Sequence, residues 1–254
     1  MLPVSFYRFG MTCCVLLVLG LRIMRILTWN LAWATVTSAK GQEIIRRIEE
    51  VQPDVAILTE VTTPLVEALG GCAAYSSSDH GYGVKPLRRK VALWSRSPIV
   101  DVDSTGSPDL PPGRFVAARI NGMRVLGVCI PWRDAHVRTG RKDASPWEEH
   151  SRYLEALHSL IKPLNSNTIV GGDFNQRNPR HRQPQDVFRA LDKAFSHMTW
   201  VTSGEIGASG ERAIDHIVAT PEMDACFAGN VSSEYGATRL SDHFGLYCEI
   251  NPVG

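Results

Sequence analysis

The chain has 254 residues, 44% hydrophobic and 21% charged, which is enough apolar material for one substantial core and excludes a disordered or fibrous protein. Its 27 Lys and Arg stand against 26 Asp and Glu, so it does not coat nucleic acid by bulk charge. Any hold on an anionic substrate must come from local clusters.

In chain order, the first feature is an apolar run from Met11 to Leu21 behind Arg8, which has the look of a secretory h-region. It is too short to span a bilayer, and Arg22 and Arg25 follow where a cleavage site would need small residues. The strand-like "MRILTWNL" begins at once. The expected folded domain is therefore 24–254, with Met24 as the natural initiator and 1–23 as upstream sequence. The intact mass of the endogenous protein tests this. The six cysteines (Cys13, Cys14, Cys72, Cys129, Cys226 and Cys248) lack the paired spacing of zinc sites or disulfide frameworks and fit a reducing cytoplasm. Cys129 and Cys248 lie in apolar runs, where a thiol behaves as a small hydrophobe.

"RILTWNL" at 25–31 reads as a buried strand. Ile44, Ile45, Ile48 and Val51 then recur at helical spacing up to Pro53, which disfavours helix in the residue before it. "DVAILTE" gives a second buried strand from Asp54 to Glu60, and "VALWS" at 91–95 a third, after the basic segment Lys85 to Lys90. "RFVAARI" and "MRVLGVCI" flank Asn121-Gly122, the turn of a β-hairpin. In "SPWEE", Ser145, Pro146 and Glu148 form a capping box that opens a helix to about Pro163, with Trp147, Leu154, Leu157 and Ile161 on its buried face. "NTIVGGDFN" reads as a strand stopping at Gly171-Gly172. Val187, Phe188, Leu191 and Phe195 outline a further helix, and strands at about 212–220 and 244–250 close the chain. A hairpin demands antiparallel pairing and the strand–helix alternation demands covered sheet faces, so two packed sheets with outer helices satisfy both.

The informative recurrence is that apolar strands end in carboxylates, carboxamides or imidazole: Asn30, Glu60, Asp173 with Asn175, Asp215, and Asp242 with His243. Strand ends at one rim converge in space. Glu60, Asp173 and Asp242 would repel one another unless a cation neutralised them. Oxygen ligands without cysteine select a hard ion, Mg²⁺ or Mn²⁺, which polarises a phosphoryl group.

"TWN", "PDVAILTE", "GGDFN", "AIDHI" and "LSDH", in that order from Met24 to Glu249, resemble the endonuclease/exonuclease/phosphatase superfamily. The resemblance implies a deoxyribonuclease I-like α/β fold, a four-layer sandwich of two central mixed β-sheets flanked by helices. It implies that Glu60 is the principal metal ligand, with Asn30 and Asp242 at or near the metal. Asp173 would align or deprotonate the attacking water and Asn175 would help bind phosphate. His243 would contact the scissile phosphate or transfer a proton, oriented by Asp215. Where relatives carry a Tyr or His after the strand matching "GVCIP", this chain has "WRDAH", leaving Arg133 or His136 for that place. A planar guanidinium suits phosphate, although loop arginines are commonly solvated.

The simpler readings are weighed beside these. Asn30 could merely satisfy backbone groups. His216 should face away from Asp215, because side chains alternate along a strand. His80, His150, His158, His181 and His197 read as surface or structural. The basic segments at 85–90 and 177–182 read as solvated loops, yet the second follows Asp173 and Asn175, so Arg177 is expected to hold a flanking phosphate. Trp29, Trp33 and Trp132 could stack on bases or pack in the core. The expected activity is a metal-dependent phosphodiesterase on DNA or RNA, acting as a cytoplasmic monomer without stable membrane association. The alternatives are a phosphatase or phosphodiesterase for a lipid headgroup or small metabolite, and a non-catalytic binding module on the same fold.

Overall fold

Alternation of side chains along the strands sorts the apolar residues into three cores, and these cores define the layers. A computed structural model describes residues 23–164 and 166–251, so 1–22 of the expected upstream segment lies outside the described residues. The first half of the chain forms β1 (Met24–Asn30), α1 (Ala39–Val51), β2 (Val55–Thr62), α2 (Thr63–Glu67), β3 (Cys72–Tyr75) and β4 (Arg88–Ser95). Next come β5 (Val100–Asp103), the hairpin of β6 (Phe115–Ile120) and β7 (Met123–Cys129), and α3 (Glu148–Ile161). The remainder forms β8 (Thr168–Asp173), α4 (Gln185–Ala194), β9 (Thr199–Trp200), β10 (Asp215–Ala219) and β11 (Asp224–Val231). A small pair, β12 (Glu234–Tyr235) and β13 (Thr238–Arg239), precedes β14 (Gly245–Asn251).

Two six-stranded sheets result, ordered β11-β14-β1-β2-β4-β3 and β5-β6-β7-β8-β10-β9. Both are mixed: β1 runs parallel to β2 and antiparallel to β14, and β8 runs parallel to β7 and antiparallel to β10. Met24 and Ile26 of β1, Val55 and Ile57 of β2, Val125 of β7, Ile169 of β8 and Ile217 of β10 meet between the sheets. The opposite parity, Leu27, Trp29, Ala56 and Leu58, packs with Ile44 and Ile48 of α1. On the far side, Leu126, Val128 and Val170 pack with Leu154 and Leu157 of α3 and Leu191 of α4. The order helix, sheet, sheet, helix is the four-layer sandwich expected.

Close approach of the sheets accounts for two glycines. Gly127 and Gly171 are register partners on adjacent strands. A Cβ on Gly171 would sit 2.7 Å from Ile57 Cδ1, and one on Gly127 2.6 Å from Val91 Cγ1, so only hydrogen fits where the inter-sheet side chains cross. Gly172 has a φ of +134° and any side chain there would collide with the Val128 carbonyl. The strand expected to stop at Gly171-Gly172 therefore continues through both glycines to Asp173.

Other expectations need correction. The helix after "SPWEE" starts at Glu148, because Trp147 adopts a left-handed φ of 72° and occupies the N-cap without a side-chain cap bond. Only the reciprocal half of the capping box forms, with Glu148 Oε2 accepting from Ser145 N–H at 2.8 Å. Trp147 stands edge-on to His150 and is half-buried. Ile45 and Val51 of α1 are likewise half-buried, and Gln52 terminates the helix in a left-handed conformation ahead of Pro53. Arg88, Arg89 and Lys90 belong to β4 and not to a loop. The strand expected from about 212 begins at Asp215. The Asn121-Gly122 hairpin stands, both residues having positive φ (50° and 80°) as a twist-matched two-residue turn requires. Cys72, Cys129, Cys226 and Cys248 are free thiols, with Cys129 and Cys248 buried.

Candidate active site

Period-2 alternation brings three polar strand ends to the same face. Asn30 shares the parity of Met24 and Ile26, Asp173 that of Ile169, and Asp215 that of Ile217, all residues of the inter-sheet core. Asp215 and Asp173 are direct register partners, since β10 starts where the antiparallel β8 ends. β14 runs antiparallel to β1, so His243, just before it, arrives beside Asn30. Asn30, Asp173, Asp215 and His243 are all buried, His243 most nearly reaching the surface at 9% exposure.

A continuous network joins them. Asn30 Nδ2–H donates to Asp173 Oδ2 at 3.2 Å, and its Oδ1 accepts from Ala32 N–H at 2.9 Å. Asp173 Oδ1 accepts from Asn175 N–H at 2.9 Å, while Asn175 Nδ2–H donates to Ile130 O at 2.9 Å. The Ser241 hydroxyl donates to Asn30 O at 2.6 Å and accepts from His243 N–H at 3.1 Å. Trp29 Nε1–H donates to His243 O at 2.9 Å. His243 Nδ1 is hydrogen-bonded to Asp215 Oδ2, and its Nε2 lies 3.9 Å from Asp242 Oδ2.

Burial in this network moves its protons. Desolvation raises Asp173 to about 7, with the Asp215 and Glu60 charges adding to the rise and His243 opposing it. Burial likewise raises Asp215. Burial alone would lower His243, but the Asp215 and Asp173 carboxylates outweigh it and raise the imidazole to about 10. The arrangement offers a carboxylate able to take a proton near neutrality beside an imidazolium able to donate one.

Glu60 lies within β2 with a left-handed φ of 49°, opposite Lys90 of β4, whose ammonium donates to Glu60 Oε1 at 2.6 Å. Its charge reaches both Asp173 and Asp215. The Asp242 side chain is 65% exposed at the mouth of the site. The two arginines expected to bind substrate stand apart from the network. Arg133 is exposed and lies 3.7 Å from Asp134. Arg177 holds Gln183 through its carbonyl, and its charge reaches His181 together with those of Arg212 and Arg182. His136 is buried, stacked on Tyr82, and accepts from Arg141 N–H. His216 faces away, with Nε2 on Gln176 O at 3.0 Å. Of the tryptophans, Trp29 is core, Trp33 is half-buried under Arg88 and Lys90, and Trp132 is 46% exposed.

Three residues with a place at the site escaped the sequence reading. Lys90 stood in a basic run with no sign that β4 would set it opposite Glu60. Ser241 lies inside "LSDH", and its hydroxyl bridges Asn30 and His243. Arg114, in "GRFVA", carried no signal at all and is 2% exposed.

The donor set fits a hard divalent cation. Glu60, Asp173, Asp215 and Asp242 contribute acidic oxygens, and among the described residues Asp215 Oδ1 is buried without a hydrogen-bond partner. Ligand atoms of Asp173, Asp215 and His243 lie within 4.8 Å of one another. Glu60 and Asp242 bring further carboxylate oxygens to the edge of this cluster, one paired with Lys90 and the other largely exposed.

Residues 27–243 match the Endonuclease/Exonuclease/phosphatase family. No curated protein matches the chain in sequence. Among solved structures, the fold resembles an AP endonuclease from Archaeoglobus fulgidus (17% identity, TM-score 0.65, covering 89% of this chain and 98% of that one). It also resembles a 3′-5′ exonuclease from Neisseria meningitidis (19% identity, TM-score 0.65, 90% and 100%). A third likeness is to a 3′ phosphatase from Neisseria bound to a product DNA hairpin (19% identity, TM-score 0.64, 90% and 99%). At these identities the likeness establishes the fold, while the family match spans most of the length: the chain belongs to the endonuclease/exonuclease/phosphatase family, whose members are phosphoesterases.

Proposed function

We propose that the protein is a metal-dependent phosphodiesterase acting on DNA or RNA. The observation that carries the reading is the linked set Asn30–Asp173 and Asp215–His243, four residues from remote segments in one buried network beside the Glu60 and Asp242 carboxylates. Glu60, Asn30 and Asp242 would hold Mg²⁺ or Mn²⁺, which would neutralise charge and polarise the phosphoryl group. Asp173 aligns the attacking water and takes its proton, a role suited to a carboxylate raised to about 7. Asn175, fixed through its own N–H on Asp173 and its amide on Ile130, presents its remaining polar atoms to phosphate. His243 stays protonated because Asp215 holds Nδ1, leaving Nε2–H to donate to a phosphoryl oxygen.

A nucleic acid is the favoured substrate because the charges of Arg177 and Arg182, in the loop that follows Asp173 and Asn175, and of Arg212, just before β10, reach His181 together. The structural relatives named above include enzymes of DNA. In this reading the protein works as a cytoplasmic monomer. Among the described residues, no helix is long and apolar enough to cross a membrane.

The test is a panel of plasmid DNA, abasic-site duplex, single-stranded RNA, bis-nitrophenyl phosphate and inositol phosphates, with Mg²⁺, with Mn²⁺ and with a chelator. Cleavage of nucleic acid that the chelator stops, and that falls by about 10²–10⁴ in Asp173→Asn and His243→Ala, is expected. Preference for inositol phosphates would favour the small-metabolite phosphatase. A wild type inactive on every substrate would favour a binding module.

A further inference from the structure

We propose that the cavity adjoining Glu60 is a subsite for a second phosphate group of the substrate, so that a nucleotide bearing two phosphates is bound in preference to one bearing only the scissile phosphate. This rests on the phosphodiesterase reading above and names the substrate feature that the site selects.

The cavity, about 370 Å³, is lined by four cations, Lys85, Arg88, Lys90 and Arg114, and by no carboxylate. Only Lys90 has an acidic partner among the described residues, Glu60 at 2.6 Å. That contact makes the cavity and the carboxylate cluster neighbours across one side chain. Arg114 is the decisive residue. It is 2% exposed, its guanidinium donates through Nη1 to Cys129 O at 3.3 Å, and among the described residues no carboxylate pairs with it. Cys129 is the register partner of Asp173, so the guanidinium is anchored one strand from the candidate base. Arginine carries five N–H donors in a fork matched to phosphate oxygens. The only other acceptor for Arg114 among the described residues is the Cys129 Sγ at 3.9 Å, and a buried guanidinium held by such weak acceptors with no carboxylate beside it is costly unless a ligand supplies the charge.

The surroundings agree. His80, buried on the cavity wall, has an Nδ1 without a hydrogen-bond partner and is pushed down to about 4 by burial and by the Lys90 and Arg114 charges. It therefore adds no positive charge of its own at neutral pH. Arg88 and Lys90 lie over the Trp33 ring, at 4.9 and 5.1 Å from its centroid, which fixes both cations on one wall. Exposed lysines in loops are usually just solvated, and Lys85 alone would be read that way. A buried Arg114 with no paired carboxylate among the described residues does not yield to that explanation. The volume of about 370 Å³ is enough to admit a phosphate group with part of its nucleoside.

The experiment compares the full-length protein's affinity for thymidine 3′,5′-bisphosphate and thymidine 5′-monophosphate by calorimetry in Mn²⁺. Turnover of thymidine 5′-(p-nitrophenyl phosphate) is followed separately. The wild type should bind the bisphosphate at least about tenfold more tightly. That ratio should collapse to below about threefold in Arg114→Gln. Because Arg114 is buried and its variant could misfold, the double variant Lys85→Gln, Arg88→Gln, which alters only partly or fully exposed side chains, should shrink the ratio as well. Equal affinities in the wild type, or an undiminished ratio in the double variant, would overturn the subsite even with the diester turned over. A cation-dependent preference in a protein that hydrolyses no diester would leave the subsite standing and remove the phosphodiesterase reading.

Discussion

Replacing Asp215 with Asn isolates what the carboxylate does for His243. The two are joined through Oδ2 and Nδ1, and Asn keeps the shape and a hydrogen-bonding group opposite the ring, so the ring keeps its place. What is lost is the charge. Burial pulls the imidazole below its ordinary value near 6.5, and the carboxylates, Asp215 foremost, lift it to about 10. The net rise, the carboxylates' pull less the cost of burial, is on the order of 5 kcal/mol in favour of the imidazolium, at about 1.4 kcal/mol per tenfold. Both groups are buried, so solvent does not screen it away. With Asp215 neutralised, burial outweighs the remaining Asp173 charge and His243 should lose its proton well below pH 10. The assay is an NMR pH titration of the ring nitrogens in metal-free protein, the resonances assigned by difference from a His243→Gln sample. The wild type should stay protonated to about pH 10, and Asp215→Asn should titrate at least about two units lower. A wild-type ring titrating near 6.5, or a variant unchanged from the wild type, would refute the argument.

Acid should destabilise the fold through His150 and His216, each buried neutral and lowered to about 4. A base depressed in the folded state favours folding above its unfolded pKa, so stability is lost as pH falls from about 6.5 to about 4. The loss should be on the order of 3 kcal/mol per residue in urea titrations, and His150→Gln should flatten the profile in that window. Gly171→Ala should cost about 1–3 kcal/mol by overpacking against Ile57 Cδ1. Ile57→Val, which removes that atom, should recover part of the loss, and a double-mutant cycle showing strict additivity would contradict the packing account. Lys90→Met removes the ammonium that occupies Glu60, so Mn²⁺ affinity should rise several-fold while affinity for thymidine 3′,5′-bisphosphate falls. Calorimetry showing both weakened would mean that Lys90 only supports the strand.

Much of the site was legible because its residues sit where patterning is simplest, at the ends of strands buried on both faces. Asn30, Asp173 and Asp215 break apolar runs of β1, β8 and β10, and alternation alone assigns them to one face. Two-layer packing followed from the same runs. What was not legible depended on register between distant strands or on local backbone strain. Lys90 is opposite Glu60 only because β2 and β4 pair antiparallel through Thr59↔Val91 and Val61↔Arg89. The start of α3 was misplaced because a capping-box sequence is a local preference, overridden where Trp147 takes a left-handed conformation and packs on His150. β11 escaped because a strand at the sheet edge, alternating between exposed and half-exposed residues, carries no continuous apolar run. Arg114 follows Gly113 at the start of a hairpin, a place where sequence gives an arginine to solvent and the fold gives it to the interior.

The charge layout explains why these residues must lie at the seam between the sheets. Glu60, Asp173, Asp215 and Asp242 form an acidic half that calls for a cation. Lys85, Arg88, Lys90 and Arg114 form a basic half that calls for phosphate, and the Lys90–Glu60 pair joins the two. Either half alone concentrates like charge, most costly at its buried members, Asp173 and Asp215 on one side and Arg114 on the other. A phosphate ester bridging them satisfies both, with oxygens toward the cation on one side and toward guanidinium and ammonium on the other. An uncharged ligand satisfies neither half. The Asn30–Ser241–His243 hydrogen bonds keep the acidic half anchored to the first sheet while Asp173 and Asp215 belong to the second. Any slip between the sheets would therefore separate His243 from Asp215 and unmake the site before it unfolded the core.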